Sequence, residues 1–477
     1  METVYRESPP IVGAARKSAY LRPEGSAPFP VTAPLVVLRG TWSGMGLEYG
    51  KRAATEIRYV FEGLFQRLLE AGMELQPLRE ALDTCRSELE GMSPELLEFM
   101  EGIAEGSDLE LEKSEDGTDL TAIERITLIN FFSSLYERAP GYDRSLEEEG
   151  SCWECRGSSM PQGATMAGAN IDASFYPFMY RMALVVIPDD PDSSVFFTLP
   201  MAGGVGGPTG LNQDGVYITA LAVKAPSPAA EAADTAGEQA GNSHVKLAIP
   251  SSLLSAMALA RSHDVRSALE TLLYGPHDIA TANEKTELVY CTSSNFLIAD
   301  GDEAVVVERD PLHYASRREE PDQNGGSFIA CTDNFNAPES YDASGEPIGQ
   351  PMSAFGLSSQ EIFSSTTRLR SLRETLLDRN VQVDFPWMMA KIAGMNYIYD
   401  QNGRKSYQMT NALNEIVSCF ESGLTVDRYL ARGESPFFGT VCSVIVNPAS
   451  LDIRYELGLP SDWVGPWEHI NLGQYNR

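Results

Sequence analysis

The chain predicts an α+β fold, and three features of its pattern predict it. Apolar residues recur with helical spacing through most of the first 140 residues. From Cys152 onward the pattern changes to short runs rich in β-branched and aromatic residues, with turn residues between them. Helical stretches interrupt these runs without alternating with each one, which favours layered antiparallel sheets over a doubly wound parallel sheet.

Residues 1–33 are Pro-rich and aperiodic, and read as a flexible arm. PLVVLRGTW (34–42) is a short strand, and GLEYGKRAATEIRYVFEGLFQRLLEAG (46–72) a long amphipathic helix. Helical segments over 76–91, 94–105 and 120–137 make 34–151 a helical region. The remainder, 152–477, is the expected core. Its strands are CWECRG, ATMAGANI, RMALVVIP, SVFFTLP, GVYITALAV, TELVYCTSSNFLIAD, EAVVVER and SFIACTD. PSSLLSAMALARS and DVRSALETLLY form a helical pair, and 358–379 is a further helix. The tail returns to strands in NEIVSCFES, GTVCSVIVN and LDIRYEL. Polar stretches at 225–243, 315–327 and 336–351 read as loop insertions.

Composition narrows the function classes. The chain has 477 residues, 43% of them apolar, enough for a sizeable core. Its 36 basic and 67 acidic residues give a net charge of −31, which repels nucleic acid and anionic membrane. No stretch approaches the ~18 apolar residues of a membrane span, and no apolar core of signal-peptide length opens the chain. The seven cysteines are odd in number and mostly solitary, unlike a disulfide scaffold. The expected compartment is the cytoplasm, with no metal and no cofactor.

The chemically suggestive segment is EGSCWECRGSSMPQGATMAGANIDA (149–173). Pro161-Gln162-Gly163 has the chemistry of a three-residue hairpin loop. A hairpin centred on Gln162 places Cys152 opposite Asp172, and Cys155 opposite Ala169. Opposed residues have Cβ atoms about 4.5–5.5 Å apart. The five histidines (His244, His263, His277, His313 and His469) are not oriented toward Cys152 by any local pattern. Cys152-x-x-Cys155 has no second pair to complete a zinc site. Cys152 is therefore read as a buried structural thiol or a nucleophile that uses its own α-amine as base, the alternatives being a zinc or redox pair with Cys155 and a Cys–His dyad formed by tertiary contact. Such an amine has a reference pKa of about 7.7–8.0 and is exposed by cutting the chain before the residue. Gly206-Gly207 and Gly210 read as a sheet connection, and Arg368 and Arg370 as surface charge on a helix.

From residue 34 to the end, the chain resembles the acyl-coenzyme A:6-aminopenicillanic acid acyltransferase family, cysteine members of the N-terminal-nucleophile hydrolases. The resemblance runs in order through VVLRGTWSGMGLEYGKRAATEI, AIERITLIN, EGSCWEC, AGANIDA and GGPTGLNQDGVYIT. It continues through NFLIADGDEAVVVERDP, CTDNF, TTRLRSLRETL and GTVCSVIVNPASLDIRYELGLP. It implies a four-layer α/β/β/α sandwich with a helical N-terminal region. It further implies scission of the Ser151–Cys152 bond, Cys152 as nucleophile and Asp172 as the carboxylate orienting its amine. Thr332-Asp333-Asn334-Phe335 is similar to the family's threonine–asparagine–histidine–phenylalanine segment, and a one-residue slip makes Asn334 the oxyanion donor. The chain departs from the family pattern in having Ser151 where glycine is usual, Trp153 after the cysteine, and Ala169 where a related branch carries arginine. The implied activity is an acyltransferase or amidohydrolase that breaks an amide or thioester through a Cys152 thioester. Its partners would be a small-molecule acyl donor and an amine acceptor. The alternatives are a linear-amide or peptide hydrolase without acyl transfer, and a non-catalytic scaffold.

Overall fold

The first strand, β1 (Leu35–Gly40), buries Val36 and Leu38 on one face and runs parallel to β4 (Ala183–Pro188). The chain between them is long enough to allow that direction, which a tight turn would not. The structure, a computed structural model, describes residues 35–107, 120–142, 149–157, 160, 164–173, 176–223, 247–276, 288–342, 344–357, 363–377, 383–389, 397–399, 405–407, 439–457 and 467–475. The expected arm (1–33), the Pro161-Gln162-Gly163 turn, the 225–243 loop and the NEIVSCFES strand lie outside these residues.

Thr41 caps α1 (Trp42–Arg52) by accepting from the Gly44 N–H at 3.2 Å. The long helix expected over 46–72 is in fact two. α1 ends at Arg52, and α2 (Ala54–Glu70) restarts after Ala53, whose φ and ψ of −111° and 17° leave the helical region. Apolar spacing continues through this break, so periodicity does not register it. α3 (Leu75–Met92), α4 (Pro94–Gly106) and α5 (Ala122–Tyr136) complete the helical region. α1 and α4 touch backbone to backbone. A Cβ at Gly46 would lie 2.1 Å from the Phe99 carbonyl oxygen, and one at Gly102 2.1 Å from that of Ser43. α5 is the hub on which α2, α3 and α4 pack, and it is buried on nearly all sides, with Ser133 exposed. Asn130 ties it to the glycine-rich loop, donating to the Gly203 carbonyl at 3.0 Å and accepting from the Val205 N–H at 2.9 Å.

The strands that follow are β2 (Glu149–Arg156), β3 (Met166–Ala173), β5 (Phe196–Thr198), β6 (Thr209–Asn212), β7 (Tyr217–Ala222), β8 (Ser294–Ala299) and β9 (Ala304–Arg309). β10 (His313–Arg318), β11 (Glu320–Pro321), β12 (Ser327–Thr332) and β13 (Tyr341–Asp342) come next. Helices α6 (Ser251–Arg261), α7 (Val265–Tyr274), α8 (Phe363–Leu377) and α9 (Phe385–Met388) are interspersed. A two-stranded ribbon, β14 (Tyr397–Tyr399) and β15 (Lys405–Tyr407), precedes β16 (Gly439–Asn447), β17 (Asp452–Leu457) and β18 (Glu468–Asn471).

Among the described residues, one sheet runs β1-β4-β5-β6-β7-β8-β9-β10-β13 and the other β11-β12-β2-β3-β16-β17-β18. Apart from the β1–β4 pair, their ladders are antiparallel. The sheets meet face to face, with β2 and β3 against β7 and β12 against β8 and β9. α6 and α7 cover the outside of the first sheet, and α8 covers the outside of the second. The result is the expected four-layer α/β/β/α sandwich.

One core cluster extends from Val36 to Leu472, spanning both expected regions. A smaller cluster lies between the second sheet and α8, built from Trp153, Phe328, Leu372, Leu376 and Ile445. The boundary placed at 151/152 falls inside β2. The stretch 315–327 is not an insertion: it holds most of β10, all of β11 and the start of β12. Its charges belong to sheet-edge strands, where Arg317 pairs with buried Glu308 at 2.6 Å. The stretch 336–351 is mainly loop, with β13 added to the sheet edge. No helix among the described residues is long and apolar enough to cross a membrane.

Candidate active site

β2 lies between β12 and β3 in the second sheet. Its ladder with β3 pairs Glu149 with Asp172, Gly150 with Ile171, Ser151 with Asn170, and Cys152 with Ala169. Cys152 therefore does not face Asp172. The expected register fails because β2 ends at Arg156, Gly157 turns away at φ 116°, and β3 starts only at Met166. The connection is longer than the Pro-Gln-Gly turn alone requires, so the pairing is offset by an odd number of residues. In a strand such an offset reverses which face each side chain occupies.

The two faces of β2 differ sharply. Toward the other sheet, Cys152 sits in the main apolar core with Ala167, Ala169 and Ile171. Its ladder partner on β12 is Cys331, and the two sulfurs are 2.9 Å apart. Burial pushes the Cys152 thiol well above its ordinary pKa, and the Cys331 contact adds to the shift. Cys155 belongs to the other face, packed with Trp153 and Phe328. The two thiols of the Cys-x-x-Cys pair therefore point apart and do not converge on one metal. Among the described residues no cluster of three or more metal-ligating side chains occurs.

The face toward α8 is polar at the start of β2. Ser151, Asn170 and Thr332 are ladder neighbours, and Asp172 lies two positions beyond Asn170 on the same side. Ser443 of β16 donates to Asn170 Oδ1 at 2.8 Å. From α8, Arg368 reaches into this group. Its Nη1 donates to the Gly150 carbonyl oxygen and to Ser151 Oγ (3.2 Å), and stands 3.6 Å from Asp172 Oδ2. Its Nη2 binds Asp333 at 2.5 Å. Ser151 and Asp172 are fully buried, Arg368 is 1% exposed and Asp333 4%. Arg368 is thus not surface charge, although its neighbour Arg370 is exposed.

Asn334, the expected oxyanion donor, is buried beside this group with its amide engaged. Its Oδ1 accepts from Thr332 (3.0 Å) and Ser365 (2.6 Å), and its Nδ2 donates to Asn336 Oδ1 at 2.9 Å. Asn295 of β8 fixes the same turn by donating to the carbonyls of Thr332 and Asn334 at 2.7 and 2.8 Å. Glu308 accepts from the backbone N–H groups of Asn336 (2.5 Å) and Ala337 (2.8 Å). These contacts hold the end of β12 rigidly against Ser151.

The histidines described belong elsewhere. His313 bonds Asp310 and stacks on Phe355, His263 bonds Asp214, and His469 bonds Asp452. His244 and His277 lie outside the described residues. Beside Ile171, the ladder partner of Gly150, is a cavity of about 40 Å³ lined also by Ser133, Glu137, Pro208 and Ala220. That is room for about one water molecule.

Burying a guanidinium, two carboxylates and several hydroxyls in one place is costly unless the groups satisfy one another. Such clusters concentrate where chemistry is done. Here a hydroxyl, a polarised backbone carbonyl and two carboxylates meet at one guanidinium. This arrangement suits attack on a carbonyl with stabilisation of the resulting oxyanion.

No family model matches the chain, and no curated protein matches it. Solved structures do show similarity. A mutant of the conjugated bile acid hydrolase from Clostridium perfringens superposes with a TM-score of 0.34 at 12% identity, over 68% of this chain and 93% of that one. The Caenorhabditis elegans ortholog of N-acylethanolamine-hydrolyzing acid amidase gives 0.33 at 14%, over 62% and 92%. Penicillin V acylase from Agrobacterium tumefaciens gives 0.33 at 10%, over 68% and 86%. Superpositions this loose transfer no residue role to this chain.

Sequence reasoning missed Arg368, Ser365, Asn295 and Glu308. For Arg368 a signal was present. Ser365, Arg368, Leu369, Leu372 and Leu376 share one helical stripe, and an arginine in an apolar stripe is a buried arginine. Asn295 and Glu308 sit mid-strand in runs of apolar residues, where a polar residue asks for a partner.

Proposed function

We infer that the protein cleaves amide bonds as an N-terminal-nucleophile enzyme, through a covalent acyl-enzyme formed at the Ser151-Cys152 segment of β2. The observation that carries this reading is Arg368, buried between Asp172 and Asp333 and bonded to the Gly150 carbonyl and the Ser151 hydroxyl. Scission of the chain at this point would create an α-amine beside a nucleophile, with carboxylates to hold its ammonium form. The collinear resemblance to the acyl-coenzyme A:6-aminopenicillanic acid acyltransferase family supports the same reaction class. That resemblance assigned the nucleophile to Cys152, a thioester intermediate and a cut after Ser151. The burial of Cys152 beside Cys331, on the face away from Asp172, weighs against that assignment. The substrate would be a small-molecule amide or thioester. Asn334 would hold the site's geometry, with its Nδ2 available to an oxyanion only if its bond to Asn336 Oδ1 rearranges.

The test is a panel of N-acyl amides and acyl thioesters incubated with purified protein, with and without a competing amine. Release of free acid supports hydrolysis, and capture of the acyl group by the amine supports acyl transfer. A protein that stays as one chain and releases neither product would overturn the reading.

A further inference from the structure

β2 offers two adjacent side chains, and its two faces decide which of them can react. Arg368 Nη1 donates both to Ser151 Oγ and to the carbonyl oxygen of Gly150, the acyl group of the peptide bond just before Ser151. Hydroxyl and carbonyl oxygen therefore share one guanidinium nitrogen, a donor already in place on the oxygen that would become the oxyanion. Asp172 stands 3.6 Å from that nitrogen, on the face shared by Ser151 and Asn170. The backbone at Gly150 is tightly clasped. A Cβ there would lie 2.3 Å from the Asn170 carbonyl oxygen and 2.9 Å from Leu221 Cδ2. Only glycine can present its carbonyl from this position.

Cys152 has no such surroundings. It faces Ala169, and its hydrogen-bonding partner is the Cys331 thiol at 2.9 Å. A thiol is the better nucleophile in water, but only as thiolate. The apolar setting of Cys152 withholds that form.

Building on the amide-cleaving reading above, we propose that Ser151 is the nucleophile, released by scission of the Gly150–Ser151 bond, and that the acyl-enzyme is an oxygen ester. In the opening step Ser151 Oγ bonds to the Gly150 carbonyl carbon, while Arg368 stabilises the oxyanion. The C–N bond then breaks, and the hydroxyl proton ends on the departing nitrogen. Water hydrolyses the ester, leaving a carboxylate on Gly150 and restoring the hydroxyl of Ser151, now with a free α-amine. In turnover that amine takes the hydroxyl proton as Oγ attacks the substrate carbonyl, and the leaving amine carries the proton away. Water then releases the acid. Amines attack thioesters far faster than oxygen esters, whereas water attacks the two at similar rates. The assignment therefore favours hydrolysis over acyl transfer, with a linear amide as the substrate class.

The experiment compares four full-length chains: wild type, Ser151→Ala, Ser151→Cys and Cys152→Ala. Each is scored for chain opening by denaturing gel and for amine release from the amide panel. Ser151→Ala should stay a single chain and lose at least about 10³-fold in turnover. Ser151→Cys keeps a nucleophile on the same face, so it should still open, turn over measurably and become sensitive to iodoacetamide. Its behaviour separates loss of the nucleophile from loss of the fold. Cys152→Ala should open and stay within about threefold of wild type. Amine release that survives Ser151→Ala but vanishes with Cys152→Ala would overturn the assignment and leave the amide-cleaving reading standing. Wild type that neither opens nor releases amine would overturn both.

Discussion

Arg368 and Ser151, 217 residues apart in the chain, are joined by a 3.2 Å hydrogen bond in the interior between a helix and a sheet. The same guanidinium meets Asp172 and Asp333, so one arginine gathers two buried carboxylates beside the start of β2. Replacing it by alanine strands two buried carboxylates, which typically costs about 3–5 kcal/mol. Arg368→Ala should therefore lower the urea midpoint substantially and prevent chain opening. Combining it with Asp172→Asn and Asp333→Asn should recover much of the stability but none of the opening. Stability recovered together with opening would show that Arg368 is purely structural.

The helix crossing gives a second test. Gly102 of α4 touches the backbone of α1 at Ser43, whereas a Cβ at Gly91 of α3 would meet nothing within 4 Å. Gly102→Ala should destabilise by about 1–3 kcal/mol through overpacking. Gly91→Ala should be stabilising, by about 0.5 kcal/mol, because alanine is the better helix former. Thermal unfolding of the pair reads the opposite signs directly.

Alkaline stability follows from the buried thiols. Burial raises Cys291 and Cys442 from the ordinary value of 9.0 to about 11. With the folded pKa above the unfolded one, the unfolded chain releases its protons first. Their contribution to stability is whole below about pH 9 and falls as pH climbs toward 11. Urea midpoints measured from pH 8 to 11 should decline, and Cys291→Ala should decline less steeply than wild type.

Thiol accessibility is a further readout. The chain has seven cysteines, and the six described are buried. Native protein at neutral pH should react rapidly with Ellman's reagent at no more than one site, Cys419, which lies outside the described residues. Denatured protein should react at all seven. Rapid native labelling of Cys152 would contradict its placement in the core.

Layer architecture was legible because it rests on apolar periodicity: the helical first region, the strand runs and the α6–α7 pair all follow from spacing. The site was only partly legible. The hairpin register and the family resemblance both point to Asp172, but the register pairs it with Cys152 because Pro161-Gln162-Gly163 is a stronger turn signal than the longer connection, and the structure pairs Asp172 with Glu149. One odd offset moved Cys152 to the opposite face. Arg368 reads as surface charge because Arg370 lies two residues on along the same helix, and the structure exposes only Arg370 of that pair. Parallel pairing of β1 with β4 was invisible, since strand direction across a helical region is set by tertiary packing.

Chemistry on the polar side of β2 leaves a signature that needs no substrate, the first residues of the larger fragment of purified protein. N-terminal sequencing should read Ser151-Cys152-Trp153. A fragment beginning Cys152-Trp153-Glu154, or a single uncut chain that hydrolyses amides at full rate, would contradict it.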